Sequence, residues 1–333
     1  MEIKIDQVSN SDITVVMYHY VRDIKKSSYN NIKGLETKCF IEQIKYLNKN
    51  YNIIKMEELI ESIENNLKLP SKALLLTFDD GYADHFNNVF PVLKEYSIQG
   101  SFYIPAKVVI DNEVLDVNKI HFILASETNT TRIIDDIKKL LCDYKSKFNL
   151  ESFNYYYKKL AFKNRWDNPN VIFIKRLLQV ELNEELRLLI VNYLFEKYVG
   201  VKESDFAKKL YVNENQIKTM LNSGMHIGCH GYNHYWWNKL SSIDLEKEID
   251  LSLYFLKNLG VDISKWTSAY PYGSYNQDVK ELLEYKKCRV AFTTDLGIAN
   301  NSYDNRLTMK RLDTNDIPVD SNSPTNKWFK KSK

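Results

Sequence analysis

Residues 73–82 contain a short apolar run followed by two neighbouring carboxylates, and this combination restricts what the segment can form in a folded protein. Residues 73–76 are typical of a buried strand, and Asp79 and Asp80 follow Phe78 directly before Gly81. Adjacent strand side chains point to opposite faces, so both carboxylates can share one face only where the backbone bends, and Gly81 offers that place. Buried charges are costly unless they are paired or bind a metal. The segment predicts either a site at a strand end or a solvated turn with an acidic helix cap.

A second segment, residues 228–234, places two histidines four residues apart, His230 and His234. That spacing puts both rings on one side of a helical turn, or of a tight exit from a strand. Two imidazoles and one carboxylate can supply three ligands to a divalent cation and leave positions for water and substrate. A histidine pair at this spacing is by itself weak evidence for a metal site. It becomes significant because an acidic pair lies at another predicted strand end.

Residues 77–82 (Thr-Phe-Asp-Asp-Gly-Tyr) and 230–234 (His-Gly-Tyr-Asn-His) together resemble the NodB-like polysaccharide deacetylases, carbohydrate esterase family four. Residues 269–273 (Ala-Tyr-Pro-Tyr-Gly) are similar to the substrate-groove motif of that family. The resemblance covers residues 13–106 and 218–313. It implies an α/β fold, a distorted (β/α) barrel of about seven strands with its chemistry at the C-terminal strand ends. It also implies a hydrolase that removes an N-acyl group, typically acetyl, from an amino sugar.

The same resemblance implies roles for the motif residues. Asp79 would be the general base acting on a metal-activated water. The groove motif would contribute Pro271 and the backbone N–H of Tyr272, which would stabilise the oxyanion together with the metal. Zinc is the default cation for two imidazoles and one carboxylate. The metal ligands would be Asp80, His230 and His234.

The chain departs from many family members at two places. Ala269 stands where they carry an arginine that steadies the base, and no histidine follows His234 to act as a late general acid. Residues 17–21 (Met-Tyr-His-Tyr-Val), at the end of an early strand, resemble the opening strand of the poly-N-acetylglucosamine deacetylase branch. In that branch a histidine at this place is thought to serve as the acid. His19 is therefore the predicted general acid, and a core or capping histidine is the alternative.

Four further polar residues lie near the predicted strand ends. His85, in the first turn of the helix after the aspartates, is expected to line the mouth or face solvent. Asp295 fits either the rim of an active site or a plain turn. Arg311 and Asp313 follow the predicted last strand, where they can orient groups beneath the site or form an ordinary buried ion pair.

The order of elements predicts the domain organisation. Strands and helices alternate up to residue 106, which favours a parallel sheet or barrel. Residues 107–211 show helical spacing of apolar residues, which predicts a helical insertion over the barrel mouth. The barrel then comprises residues 1–106 and 212–320. Residues 321–333, polar and rich in lysine near the end, are predicted to form a flexible tail.

Composition and charge restrict the classes of partner that the protein is expected to have. A formal net charge of +3 on 333 residues argues against a nucleic-acid partner. The sequence contains no run of about eighteen apolar residues, so no transmembrane helix is predicted. Residues 1–6 resemble neither a signal peptide nor an anchor. We therefore expect a cytoplasmic protein acting on a nucleotide- or lipid-linked amino sugar, a precursor of a surface polysaccharide. A non-catalytic carbohydrate-binding relative and an amidohydrolase on a non-sugar cyclic amide stay open, as does the oligomeric state.

Overall fold

The computed structural model describes residues 12–163 and 167–331. The chain divides into two compact units. The barrel unit contains residues 12–22, 34–112 and 208–331, and the helical unit contains residues 23–33 and 113–207 apart from 164–166. Residues 1–6, predicted to be neither a signal peptide nor an anchor, lie outside the described residues.

The described part of the barrel unit contains one sheet. Its strands, in chain order, are β1 (Asp12–Tyr18), β2 (Asn52–Ile53), β3 (Ala73–Asp79), β4 (Ser101–Ile104), β5 (His226–Cys229), β6 (Ser268–Ala269), β7 (Ala291–Leu296), β8 (Ala299–Asn300) and β9 (Met309–Asp313). The order of pairing is β2-β3-β4-β5-β6-β7-β9-β1-β8, and β1 also pairs with β3.

That extra pairing closes the sheet into a barrel. The pairs from β3 round to β9 and β1 are all parallel, while β8 joins β1 in the antiparallel sense. The structure confirms the predicted fold class, a distorted (β/α) barrel of seven parallel strands in the described residues. Every residue of β3 is buried, as expected for a parallel strand covered on both faces.

Helices follow the strands in the order expected for a (β/α) barrel. In residues 12–163 and 167–331 the α-helices are α1 (Thr37–Asn50), α2 (Met56–Glu64), α3 (Phe90–Glu95), α4 (Ala106–Ile110), α5 (Asp116–Ser126), α6 (Thr130–Asp143), α7 (Lys145–Phe148), α8 (Phe153–Leu160), α9 (Pro169–Arg176), α10 (Glu184–Tyr198), α11 (Glu203–Leu210), α12 (Glu214–Asn222), α13 (Ser242–Asn258), α14 (Gln277–Tyr285) and α15 (Lys327–Lys331). Helix α1 buries Phe40, Ile44 and Leu47 on one apolar face.

The helical unit includes a segment that the sequence analysis assigned to the barrel. Residues 23–33 group with residues 113–207, whereas 107–112 and 208–211 belong to the barrel unit. Side-chain contacts explain this difference. Asn31 donates a hydrogen bond to the carbonyl of Ala125 (3.2 Å), and the Tyr29 ring packs edge-on against Phe122 and Phe206. The placement of this unit over the barrel mouth stays a prediction.

The prediction of a flexible tail is wrong for residues 321–331. The short helix α15 buries Trp328, and the Phe329 ring packs edge-on against Tyr51. Lys72 donates a hydrogen bond to the Phe329 carbonyl and lies over its ring. Aromatic burial outweighs the polar composition of this segment. In the described residues no helix is long and apolar enough to span a bilayer.

Candidate active site

The predicted site residues come together at one end of the barrel. Strands β1, β3, β5 and β6 all run in the same direction in the ring, so their C-terminal ends face the same rim. β3 ends at Asp79, β5 ends one residue before His230, and β1 ends one residue before His19. The groove motif begins at the end of β6. This rim is where barrels of parallel strands carry their chemistry.

Three buried side chains converge on a common point. Asp80 Oδ1 lies 3.3 Å from His230 Nε2 and 3.3 Å from His234 Nε2. The three ligand atoms lie within 4.8 Å of one another, and all three residues are buried. A carboxylate oxygen and two imidazole nitrogens at this spacing suit a divalent cation, with zinc among the candidates.

The hydrogen bonds around this group test whether a cation fits. Tyr82 donates its hydroxyl proton to Asp80 Oδ2, while Asp80 Oδ1 is buried without a hydrogen-bond partner in the described residues. The Ala269 carbonyl can only accept, so His230 Nδ1 must donate to it (2.7 Å). The lone pair of neutral His230 therefore lies on Nε2, the atom that faces Asp80. The side chains present fit a metal ion.

The backbone at the site adopts left-handed conformations that non-glycine residues rarely use. Asp80 has φ 74°, His234 has φ 61° and Tyr272 has φ 58°. Each such residue costs on the order of 1–3 kcal/mol, a strain that is concentrated at functional sites in proteins. The predicted bend after Asp79 is therefore present, but it begins at Asp80 itself and continues through Gly81 (φ 66°). A Cβ at Gly81 would lie 2.8 Å from Ile104 Cγ2, so glycine is also required sterically.

Burial and charge oppose each other in the three candidate ligands. Burial alone would raise the pKa of Asp80, but the imidazoles of His230 and His234 beside its carboxylate hold that pKa well below its usual value. Burial lowers the pKa of both imidazoles. At His230 the carboxylates of Asp80 and Asp79 outweigh burial, so its pKa is raised. At His234 burial outweighs them, so its pKa is lowered. The Asp80 carboxylate is therefore ionised at neutral pH.

Asp79 is held by an arginine that sequence reasoning did not connect to it. Arg311, on β9, donates from Nη1 to Asp79 Oδ1 (2.9 Å) and from Nη2 to Asp79 Oδ2 (2.7 Å). Both side chains are almost fully buried. Arg311 also donates to Thr77 Oγ1 (3.1 Å) and to the Thr293 carbonyl (2.8 Å). Of the two alternatives for Arg311, the structure therefore favours a group that orients the predicted base, through a buried ion pair.

The pair compensates for the missing motif arginine. Ala269 is fully buried at the position where the family resemblance implies an arginine, and the Arg311 guanidinium holds the predicted base from β9 instead. Burial would raise the pKa of Asp79, but the charges of Arg311, His230 and His19 together lower it. Asp79 is therefore ionised at neutral pH, as a proton acceptor must be. No local signal in the sequence joins Arg311 to Asp79.

His19 lies close enough to both aspartates to influence their charge. Its imidazole contributes to the lowered pKa of Asp79 and of Asp80, and the residue is only half-buried. The His19 carbonyl accepts a hydrogen bond from His85 Nε2 (2.9 Å). His85 is fully buried and touches Phe78 and Phe102, so the expectation that it lines the mouth or faces solvent is wrong. Burial lowers the pKa of His85 to about 4.

Aromatic rings flank the histidines. The Tyr272 ring packs edge-on against His234 (4.6 Å between centroids) and stacks on Trp236 at 4.6 Å with 10° between the planes. Pro271 is buried at the start of this turn. The groove motif therefore lies beside the candidate metal ligands, as its predicted role requires. The sequence analysis did not single out Trp236.

The remaining predicted residues lie further from the chemistry. Asp295 is exposed at the end of β7, where Tyr275 donates a long hydrogen bond to it (3.4 Å). Asp313 caps the short turn after β9 by accepting from the backbone of Asn315. These contacts favour structural roles at the rim.

Comparison with known proteins gives the family. The sequence model of the family described as "Polysaccharide deacetylase" matches residues 66–138 and 190–291, just over half of the chain. The chain therefore belongs to the polysaccharide deacetylase family. Between its two segments the match leaves out residues 139–189, and those of them that the structure describes lie in the helical unit.

Individual relatives are similar over shorter stretches. YxkH of Bacillus subtilis (strain 168) is 30% identical over 98 residues, 29% of this chain. The poly-beta-1,6-N-acetyl-D-glucosamine N-deacetylase of Escherichia coli (strain K12) is 28% identical over 88 residues, 26% of this chain. The aligned segments span 33% and 13% of the lengths of these two relatives.

A solved structure is similar over nearly the whole chain. The Streptococcus pyogenes deacetylase PplD, in complex with acetate, superposes with a TM-score of 0.58. The superposition covers 93% of this chain and 96% of that one at 18% identity. At this identity the similarity supports the fold alone.

Proposed function

We propose that this protein is a metal-dependent hydrolase that removes an N-acyl group, most simply acetyl, from an amino sugar of a surface polysaccharide or its precursor. One observation carries the proposal. Asp80 Oδ1 and the Nε2 atoms of His230 and His234 converge beside Asp79, whose carboxylate Arg311 holds ionised. A cation site next to a positioned base is the arrangement that amide hydrolysis by water needs.

The metal would be held by Asp80, His230 and His234. A bound divalent cation would polarise the acyl carbonyl and lower the pKa of a water molecule beside it. Asp79 accepts a proton from the attacking water as the water oxygen bonds to the acyl carbon. The backbone N–H of Tyr272 donates to the oxyanion of the tetrahedral intermediate.

The second half of the reaction needs a proton donor. As the carbon–nitrogen bond breaks, His19 gives a proton to the departing nitrogen, so that a carboxylic acid and a free amine leave. His85 supports this role because its hydrogen bond to the His19 carbonyl fixes the backbone that carries the imidazole. Arg311 keeps the Asp79 carboxylate charged and oriented between turnovers.

The substrate class follows from the family and from the groove. The named Escherichia coli relative supports a saccharide that contains N-acetylglucosamine, and the stacked Tyr272 and Trp236 rings suit contact with a sugar face. We propose an amino-sugar saccharide as the substrate. More specifically, we propose that it is a nucleotide- or lipid-linked precursor in the cytoplasm.

The test is the release of acetate from three substrates: β-1,6-linked N-acetylglucosamine oligomers, nucleotide-linked N-acetyl amino sugars and lipid-linked saccharides. We expect release from at least one, loss of release with a chelator, and recovery when Zn²⁺ is restored. Asp79→Asn should slow the reaction by about 10²–10⁴-fold with zinc content unchanged. Asp295→Asn, at the exposed rim, is the matched control and should keep the parental rate.

The presence of Arg311 beside Asp79 argues against a non-catalytic carbohydrate-binding relative, because it restores the support that Ala269 removes. A parent protein that binds zinc but releases acid from none of the three substrates, like its Asp79→Asn variant, would overturn the proposed activity.

A further inference from the structure

The histidine loop, residues 230–234, carries two of the three proposed metal ligands, but only one of them is oriented by its own hydrogen bond. His230 Nδ1 donates to the Ala269 carbonyl, whereas His234 Nδ1 is buried with no hydrogen-bond partner in the described residues. Imidazoles that bind metals are ordinarily oriented by a hydrogen bond at the other ring nitrogen. The direction of His234 must therefore come from the backbone that carries it and from the Tyr272 ring packed against it.

One buried carboxylate binds that backbone. Glu248, on α13, is 4% exposed and accepts hydrogen bonds from the backbone N–H of Tyr232 (3.0 Å) and of Asn233 (2.9 Å). It also accepts a hydrogen bond from the Asn233 side-chain amide. Three donors from two consecutive loop residues thus converge on one side chain, directly before His234.

Backbone hydrogen bonds hold the carbonyls of the loop as well. The carbonyls of Gly231 and Tyr232 accept hydrogen bonds from the backbone N–H groups of Ala106 (3.1 Å) and Lys107 (3.0 Å). The loop turns through left-handed residues at Gly231 (φ 74°) and His234 (φ 61°). Because His234 is not glycine, its conformation persists only where surrounding bonds enforce it.

The loop also packs tightly against Glu248. A Cβ at Gly231 would lie 3.3 Å from Glu248 Oε2 and 3.2 Å from Trp237 Nε1. Glycine at this position therefore lets the backbone approach the carboxylate, which places the two N–H groups within hydrogen-bonding distance.

We propose that Glu248 is a positioning residue of the metal site: its carboxylate fixes the backbone of the histidine loop and thereby aims His234 Nε2 at the cation. The inference rests on the proposed metal-dependent function, because it concerns the ligands of that metal. Glu248 touches neither ligand side chain in the described contacts and acts through the backbone.

The test measures zinc affinity rather than turnover. Glu248→Gln keeps the shape of the side chain but replaces one acceptor oxygen by a donor, which faces the loop N–H groups. We expect its Zn²⁺ dissociation constant, measured by competition with a chromophoric chelator, to rise by about 10–100-fold. With Co²⁺ as the probe, the visible absorption spectrum should change because the ligand geometry changes.

Glu246→Gln is the matched control. Glu246 lies on the same helix but is exposed and pairs with Lys286 on the surface. This variant should bind Zn²⁺ with parental affinity and give the parental Co²⁺ spectrum. Asn233→Ala removes only the side-chain donor to Glu248; it should weaken Zn²⁺ binding in the same direction by a smaller factor, and it provides the readout if Glu248→Gln does not fold.

The outcomes separate this inference from the proposed activity. Glu248→Gln and Asn233→Ala decide the inference. If both bind Zn²⁺ as the parent does, and only the melting temperature of the metal-free protein falls, Glu248 is merely structural and the inference is overturned. If the parent binds Zn²⁺ tightly but hydrolyses no amino sugar, the activity fails while weaker binding by Glu248→Gln still supports the inference. A parent that binds no divalent cation overturns both.

Discussion

Replacing Arg311 by methionine should expose how strongly the buried base depends on its partner. Methionine fills much of the volume but removes the guanidinium, so Asp79 loses hydrogen bonds of 2.9 and 2.7 Å, and Thr77 and the Thr293 carbonyl each lose a partner. Asp79 is 2% exposed, so water cannot replace these bonds. Removing one member of a buried ion pair costs about 3–5 kcal/mol, because the remaining charge is uncompensated.

Arg306→Met is the matched control in the same barrel. Arg306 is also buried, but its partner Glu284 is largely exposed and regains water when the arginine is removed. The loss of that ion pair should cost about 1 kcal/mol or less. Both variants remove a guanidinium, so the difference in their free energies of unfolding reports what the buried partners of Arg311 contribute beyond an ion pair with an exposed carboxylate.

The free energy of unfolding of both variants is measured by urea unfolding, with tryptophan fluorescence as the signal. Catalysis is measured as acetate release at a temperature where each variant stays folded. We expect Arg311→Met to lose about 3–5 kcal/mol of stability and about 100-fold in kcat/KM, since the base is no longer held ionised and oriented. Arg306→Met should keep the parental kcat/KM. An Arg311→Met protein with the stability and rate of the Arg306 control would refute the pairing as described.

Three further predictions concern separate parts of the molecule. His19→Ala should lower kcat by about 100-fold with zinc content unchanged; a parental rate would place the proton donor elsewhere. His85 is buried with a pKa of about 4, so the unfolded state binds its proton first as pH falls below 6.5. The free energy of unfolding should therefore drop by about 1.4 kcal/mol per pH unit from 6.5 to about 4, and His85→Gln should flatten that slope in urea titrations. Trp328→Ala should cost about 3 kcal/mol in the same assay, whereas a flexible tail would leave stability unchanged.

The sequence predicts the barrel and the neighbourhood of the three candidate ligands well, for a physical reason. Strand–helix alternation is a local pattern, and parallel strands must bring their C-terminal ends to one rim. Polar motifs at the ends of β3 and β5 therefore lie at the same rim, with only β4 between the two strands. Asp80, His230 and His234 lie together for this reason.

Other features could not be predicted because they depend on contacts between distant segments. The Arg311–Asp79 pair joins residues 232 positions apart, and nothing beside Arg311 marks its partner. His85 is polar and follows a turn, yet three aromatic rings and the His19 carbonyl surround it. Trp328 in a lysine-rich terminus is buried because tertiary packing, not local composition, decides which ring is covered.

The position of β9 has a consequence for biosynthesis. β9 lies between β7 and β1 in the ring and supplies the guanidinium that neutralises the predicted base. A nascent chain that has emerged only as far as β8 can neither close the ring nor compensate the Asp79 charge. Asp79 is translated 232 positions before its counter-ion Arg311, so the earlier strands have neither the closed ring nor that compensating charge until β9 has been translated.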